Sequence, residues 1–248
     1  MRKLVFSVVL RFLYIVVFVV CFSSLQAQSK KDSLARSEFN IYKYKPTPKD
    51  RIILEVNHTG WLGLPADLRE RFFSGGVNFM MFFDHPIGAS HFSFAWGGCI
   101  SSYNIHGPIN LVYQIDSVTK NIAFTSVEKR TEPYNVNRIG LKIAEIPVEL
   151  RFRSHTDYQF KLSVGFKVGY VAQSFRKIFD KDENVKIFDI KGINPWRYGI
   201  TFRIGWEQLH LTAFYSLSEF FENGKGTAGV HPFSVGLAYT PRISLGGK

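Results

Sequence analysis

The stretch from Tyr158 to Gln173 alternates with almost no error, and it limits what this chain can fold into more than any other feature. Tyr158, Phe160, Leu162, Val164, Phe166, Val168 and Tyr170 share one parity, while Gln159, Lys161, Ser163, Gly165, Lys167 and Gly169 share the other. A strand turns successive side chains to opposite faces, so this segment has one apolar face and one wet face. Strands in soluble proteins typically run about 5–6 residues. A strand that crosses lipid needs roughly 9–11 residues and tends to carry aromatics at the interfaces. The length of the run, and a tyrosine at each end of its apolar row, predict a membrane-spanning strand.

Seven other segments follow the same rule. Strands are expected at about Ile52 to Trp61, Gly76 to Asp84, His91 to Tyr103, Ile139 to Arg153, Arg197 to Glu207, Leu209 to Leu217 and His231 to Thr240. In the fourth strand the pattern changes phase near Ile143-Ala144, which predicts a β-bulge there. The connections between strands two and three, four and five, and six and seven are tight, and the other four are longer. Short and long links in strict alternation mark an up-and-down membrane barrel with short periplasmic turns and long external loops. The fold class expected is therefore all-β, an eight-stranded antiparallel up-and-down transmembrane β-barrel spanning 51–248.

The longest link, Asn104 to Arg138, has alternating pieces of its own at Leu111–Ile115 and Ile122–Thr125. These predict that the flanking strands extend beyond the membrane as a ribbon. Leu64 to Phe73 suits a short amphipathic helical turn. The link after the fifth strand is mixed in charge (Lys181, Asp182, Glu183, Lys186) and is expected to be a mobile loop.

The N-terminus reads as an export signal over 1–27. Arg2 and Lys3 precede an apolar run from Leu4 to Phe22, and Leu25-Gln26-Ala27 supplies a cleavage site after Ala27. Arg11 splits the run, which argues against a retained membrane helix. Val19-Val20 argue against a lipid anchor on Cys21. Residues 28–50 are polar and basic, with Pro46 and Pro48, and read as a periplasmic leader. Removing Arg2, Lys3 and Arg11 lowers the formal net charge from +11 to +8. The remaining cations are scattered over strands and loops. They form no basic helix or nucleic-acid motif, so the expected partner of the basic surface is outer-membrane lipid rather than nucleic acid, with other envelope proteins as further candidates. The expected location is the outer membrane.

The same alternation would suit a soluble, lipocalin-type barrel with its apolar residues inside. Three features favour the membrane version. Aromatics end the apolar rows (Tyr158 with Tyr170, Tyr198 with Trp206), the polar rows are rich in Gly and Ser, and the loop lengths alternate. In that orientation Glu55, Glu145, Glu149, Arg151, Lys161, Lys167, Arg197, Arg203 and Glu207 project into the lumen. Eight strands leave an interior just wide enough for side chains to fill. Charges there must be paired or hydrated, and a ladder of salt bridges that plugs the barrel and leaves no open diffusion pore is expected.

Glu145-Ile146-Pro147-Val148-Glu149-Leu150, followed by Val164-Gly165-Phe166-Lys167-Val168-Gly169-Tyr170, resembles an outer-membrane β-barrel family common in Bacteroidetes, the PorT-like group. Asn194-Pro195-Trp196-Arg197-Tyr198-Gly199-Ile200 and Gly205-Trp206-Glu207 are similar to its next segment. The resemblance covers roughly 50–242 and implies an eight-stranded outer-membrane barrel. For the group's namesake it implies a part in type IX protein secretion. It carries no catalytic set.

A search for chemistry finds little. After the signal the only cysteine is Cys99, which excludes an intramolecular disulfide and a cysteine-based metal site; it reads as a small filler on the polar face. His58, His91, His106, His210 and His231 stand in no Ser/His/Asp spacing, and no metal pair or nucleotide loop occurs. No catalytic, cofactor or metal residue is expected. Three functions remain: a structural or interaction barrel displaying long loops, a component of a secretion or assembly machine, and a rim-active hydrolase.

Overall fold

The computed structural model describes residues 51–241, apart from 66–67, 69–73, 89, 119–121, 133, 155–158 and 181–183. The expected signal (1–27), the leader (28–50), Tyr158 and most of the expected helical turn at 64–73 lie outside the described residues. Eleven strands follow in chain order: β1 Ile52–Leu62, β2 Gly75–Pro86, β3 Phe92–His106, β4 Ile109–Ile115, β5 Ile122–Lys129, β6 Val136–Arg153, β7 Phe160–Phe179, β8 Asn184–Phe188, β9 Trp196–Trp206, β10 Leu209–Ser216 and β11 His231–Tyr239. One sheet runs β6-β3-β2-β1-β11-β10-β9-β7-β8, and β6 also pairs with β7. That last pairing closes β1, β2, β3, β6, β7, β9, β10 and β11 into an eight-stranded barrel in which every neighbouring pair is antiparallel. Closure removes the sheet edges of these eight strands.

The two faces settle the rivalry between barrel types. Leu54, Val56, Phe79, Met81, Phe94, Ile100, Ile146, Val164, Phe166, Ile200, Leu211 and Leu237 are exposed on the outer surface. Glu55, Glu145, Glu149, Arg151, Lys167 and Arg203 are buried inside. A lipocalin-type barrel has the reverse arrangement. From Phe160 to Tyr170, at about 3.3–3.4 Å per residue and a tilt of about 40°, the apolar surface of β7 is roughly 25 Å tall, the height of the apolar band on membrane barrels.

Three expectations need correction. First, β6 keeps one phase: Asn137, Ile139, Leu141, Ile143, Glu145, Pro147, Glu149 and Arg151 are all buried. The change near Ile143-Ala144 is one of chemistry, from an apolar interior to a charged one. The bulge lies on the partner strand, where Lys142 pairs with Gln173 and Ile143 with Val171, leaving Ala172 as the extra residue. Second, Leu111–Ile115 and Ile122–Thr125 fall in a separate two-stranded sheet, β4–β5, while β3 and β6 extend on their own pairing to His106 and Arg138. Third, the link after β7 contains β8, which pairs Phe175↔Phe188, Lys177↔Lys186 and Phe179↔Asn184. Its charges hid an edge strand with both faces exposed.

Candidate functional site

The interior has three layers. Nearest the short turns, Glu149 Oε2 accepts from Arg151 Nε at 2.8 Å and from Arg203 Nη2 at 2.5 Å. Asp84 pairs with Arg153, and Arg151 Nη1 lies 4.0 Å from Asp84 Oδ2. Phe82 lies under both arginines that hold Glu149, with the Arg151 guanidinium 4.2 Å and the Arg203 guanidinium 5.8 Å from its ring centroid.

In the middle layer Glu145 Oε2 accepts from Lys167 Nζ at 2.9 Å and from the Ser101 hydroxyl at 2.5 Å. Glu55 Oε1 accepts from Asn57 Nδ2 at 2.8 Å and Asn78 Nδ2 at 2.9 Å. Arg197 is sandwiched between Tyr103 and Phe214, at 4.4 Å from each ring centroid. The Cys99 thiol contacts Ser101 and Glu145, so this buried residue belongs to the polar network as well as filling space.

The third layer, toward the long loops, is apolar. Trp61, Tyr103, Ile105, Ile139, Leu141 and Ile143 from the barrel pack with Ile109, Leu111 and Val127 of the β4–β5 hairpin and with Phe220, Phe221 and Val230 from the β10–β11 loop. The hairpin is tied down by polar contacts. Asn137 Nδ2 donates to the carbonyls of Gly107 (3.0 Å) and Ile109 (2.7 Å), and Arg176 Nη2 donates to Ile109 O and Asn110 Oδ1. Thr227 Oγ1 accepts from Val127 N, and Thr125 Oγ1 donates to Lys191 O. Burial pushes the Tyr113 phenol above its ordinary value, opposed by Arg176 nearby.

The pairing of the strands places these groups in a checkerboard. Across β6, β7 and β9, Glu145 faces Gly169, which faces Arg197; Glu149 faces Gly165, which faces Thr201; Arg151 faces Ser163, which faces Arg203. Each long charged side chain reaches over a small neighbour. A Cβ on Gly169 would lie 2.6 Å from Glu145 Cγ, and one on Gly165 would lie 2.8 Å from Glu149 Cγ. The lumen is filled: a cavity bounded by Glu55, Glu149, Lys167, Arg203 and Thr212 measures about 20 Å³, room for about one water.

A family model described as the outer membrane protein beta-barrel domain matches residues 36–234. The chain belongs to that family. Comparison with curated proteins and with solved structures gives no match. As an outer-membrane barrel it meets lipid with its exposed apolar face. Tyr170 packs edge-on against Trp196 at 5.4 Å, and Phe160 against Trp206 at 5.4 Å, at opposite ends of that face. Tyr198 is exposed on the same face, 6.4 Å from Phe166. Trp196 completes the aromatic row at the long-loop end. In the sequence it belongs to the Asn194-to-Ile200 segment, and its outward parity with Tyr198 is the signal that identifies it.

Of the nine charges expected in the lumen, Glu55, Glu145, Glu149, Arg151, Lys161, Lys167, Arg197 and Arg203 are buried. Glu207 differs: it is half-buried in the two-residue β9–β10 turn, at φ 54°. Its carboxylate accepts from Gln159 N, and its carbonyl accepts from Lys161 Nζ at 2.7 Å. Its parity was read correctly as far as Trp206, but the turn ends the alternation there. Asp84 is a further lumen charge; it closes the expected second strand, and its parity opposite to Phe83 is the signal that identifies it.

The histidines are dispersed. His210 is buried against Thr240, His231 stacks on Tyr215, His91 stacks on Phe152, and His58 and His106 are half-buried on outward positions of β1 and β3. Among the described residues no cluster of His, Cys, Asp and Glu is arranged to hold a metal.

Proposed function

We propose that this chain is a non-conducting, non-enzymatic structural and docking barrel of the outer membrane, exported by a signal cleaved after Ala27, with its long loops outside the cell. The observation that carries the reading is the filled lumen. Two ion-paired layers and an apolar layer lie in series beneath a packed hairpin, so the working surface is the outside of the barrel and its cap. Outer-membrane lipid and other envelope proteins are the partners this surface would meet. In planar bilayers the refolded barrel should show no steady conductance; stable open channels would overturn the reading. N-terminal sequencing of the mature protein should begin at Gln28.

A second reading is favoured by the segments around Glu145–Leu150 and Val164–Tyr170, which resemble the PorT-like barrels of Bacteroidetes. In it the chain is a component of a type IX secretion or assembly machine. Deleting the gene and assaying secreted cargo separates the two, because unchanged secretion removes the machine. A rim-active hydrolase has less support, since the histidines point to different faces and ends of the barrel.

A further inference from the structure

Among the described residues, the outward positions of the eight barrel strands carry three charges, and all three are cations on adjacent strands. They are Arg138 and Lys142 on β6 and Lys177 on β7. The edge strand β8 adds Lys186. Arg138 pairs directly across from Lys177, and Lys177 directly across from Lys186. Like charges placed opposite one another in a sheet repel and are normally avoided. Among the described residues none of the four makes an ion pair. Two of them, Arg138 and Lys186, lie against aromatic rings instead. Phe175 lies over Gly140, with the Arg138 guanidinium at 5.7 Å and the Lys186 ammonium at 4.8 Å from its centroid; Lys186 is also 4.5 Å from the centroid of Phe188.

The height of the row matters. Ala144 pairs with Tyr170 at the aromatic row, and Lys142 is the next outward residue above it. At about 3.4 Å per residue and a tilt of about 40°, Lys142 stands roughly 5 Å above that row and the Arg138 row roughly 15 Å. Lys142 thus stands within the headgroup layer of a bilayer, about 5–7 Å deep on each side, and the Arg138 row stands above it, at the height of a large headgroup. Below them, on β6 and β7 and the adjoining β3 and β2, the lipid-facing surface is hollowed into a groove of about 500 Å³ lined by Phe83, Gly98, Ile100, Ala144, Ile146 and Tyr170. Gly98 and Ala144 form its floor, and a Cβ on Gly98 would meet nothing within 4 Å.

We propose that this wall is a binding site for a phosphorylated lipid of the outer leaflet, with Arg138, Lys142, Lys177 and Lys186 holding its phosphates and the groove over Gly98 and Ala144 holding an acyl chain. The assignment rests on the long loops facing outward. Binding in detergent does not depend on the leaflet, however, so a failed binding test leaves that orientation standing. Protease access to the loops on whole cells tests orientation by itself.

The test is retention of bisphosphorylated lipid A by the full refolded barrel in detergent, measured by native mass spectrometry against the dephosphorylated form. The phosphorylated form should be retained preferentially, and the preference should weaken with salt. R138Q/K142Q/K177Q/K186Q should lower it by about fivefold per cation removed. Gly98→Phe should weaken both forms of the lipid by filling the groove. K142Q/K186Q, which changes only the two exposed cations, provides the same reading if the quadruple variant does not fold. Equal retention of the two lipids, or no change in a folded variant, overturns the proposal. Displacement by an equal concentration of inorganic phosphate would assign the cations to free phosphate and overturn the lipid assignment.

Discussion

Glu145 stands directly opposite Gly169 across the β6–β7 ladder, and the missing side chain of Gly169 is the space into which the glutamate extends. That space lets Glu145 reach Lys167 on the diagonal. Gly169→Val should displace the carboxylate and leave two buried charges apart. A loss of about 3–5 kcal/mol is expected, as for other broken buried pairs. Urea unfolding of the barrel in lipid vesicles, followed by gel mobility without heating, measures it. An unchanged midpoint would show that Glu145 does not need this gap.

Lys167→Met should cost about the same, because it leaves Glu145 buried without its cation. The double variant Glu145→Leu/Lys167→Met should recover most of that loss, since removing both charges also removes their desolvation cost. Additive losses in the double-mutant cycle would contradict the pairing.

The face assignment makes a depth-dependent prediction. Val164 is 54% exposed in the middle of the apolar surface of β7, and Leu209 is 58% exposed at the short-turn rim. Arginine at position 164 should cost about 2–4 kcal/mol and at position 209 about 0–1 kcal/mol. Similar costs at both positions in vesicle-based unfolding would count against a membrane band at this height.

Cys99 is buried among Ser101 and Glu145. In a chain beginning at Gln28, a water-soluble maleimide should fail to modify it in the folded barrel and should label it fully after unfolding. Rapid labelling of the folded state would mean that water moves freely through the lumen.

The β4–β5 hairpin is fastened largely by Asn137, whose amide donates to two hairpin-side carbonyls. Asn137→Ala should cost the cap about 1–3 kcal/mol. Amide exchange in Ile109–Ile115 should speed up while the β6–β7 ladder stays protected. Loss of protection in both would show that cap and barrel unfold as one unit.

The barrel was legible in the sequence because alternation is a property of backbone geometry, and seven apolar residues of one parity put a continuous apolar face on a single long strand. The lumen charges followed from the same parity. Glu207 did not, because a turn residue has no parity; Asp84 has one, since β2 runs on past it to Pro86. The supposed bulge at Ile143-Ala144 shows the limit of pattern reading. A switch from an apolar to a charged interior looks the same in sequence as a slip of register. Only the pairing of Lys142 with Gln173 and of Ile143 with Val171 tells them apart. The cap was missed because its inward residues belong to a core assembled from three separate loops and strands.

The checkerboard of β6, β7 and β9 also bears on how such a chain reaches its final state. Glu145 and Lys167 lie on strands joined by a single short turn. A hairpin zipped before the cylinder shuts would enter the hydrocarbon with that couple already electrically neutral. Arg203 on β9, the next strand of the barrel to pair with β7, then reaches Glu149. The order of charge compensation therefore follows the order of the chain.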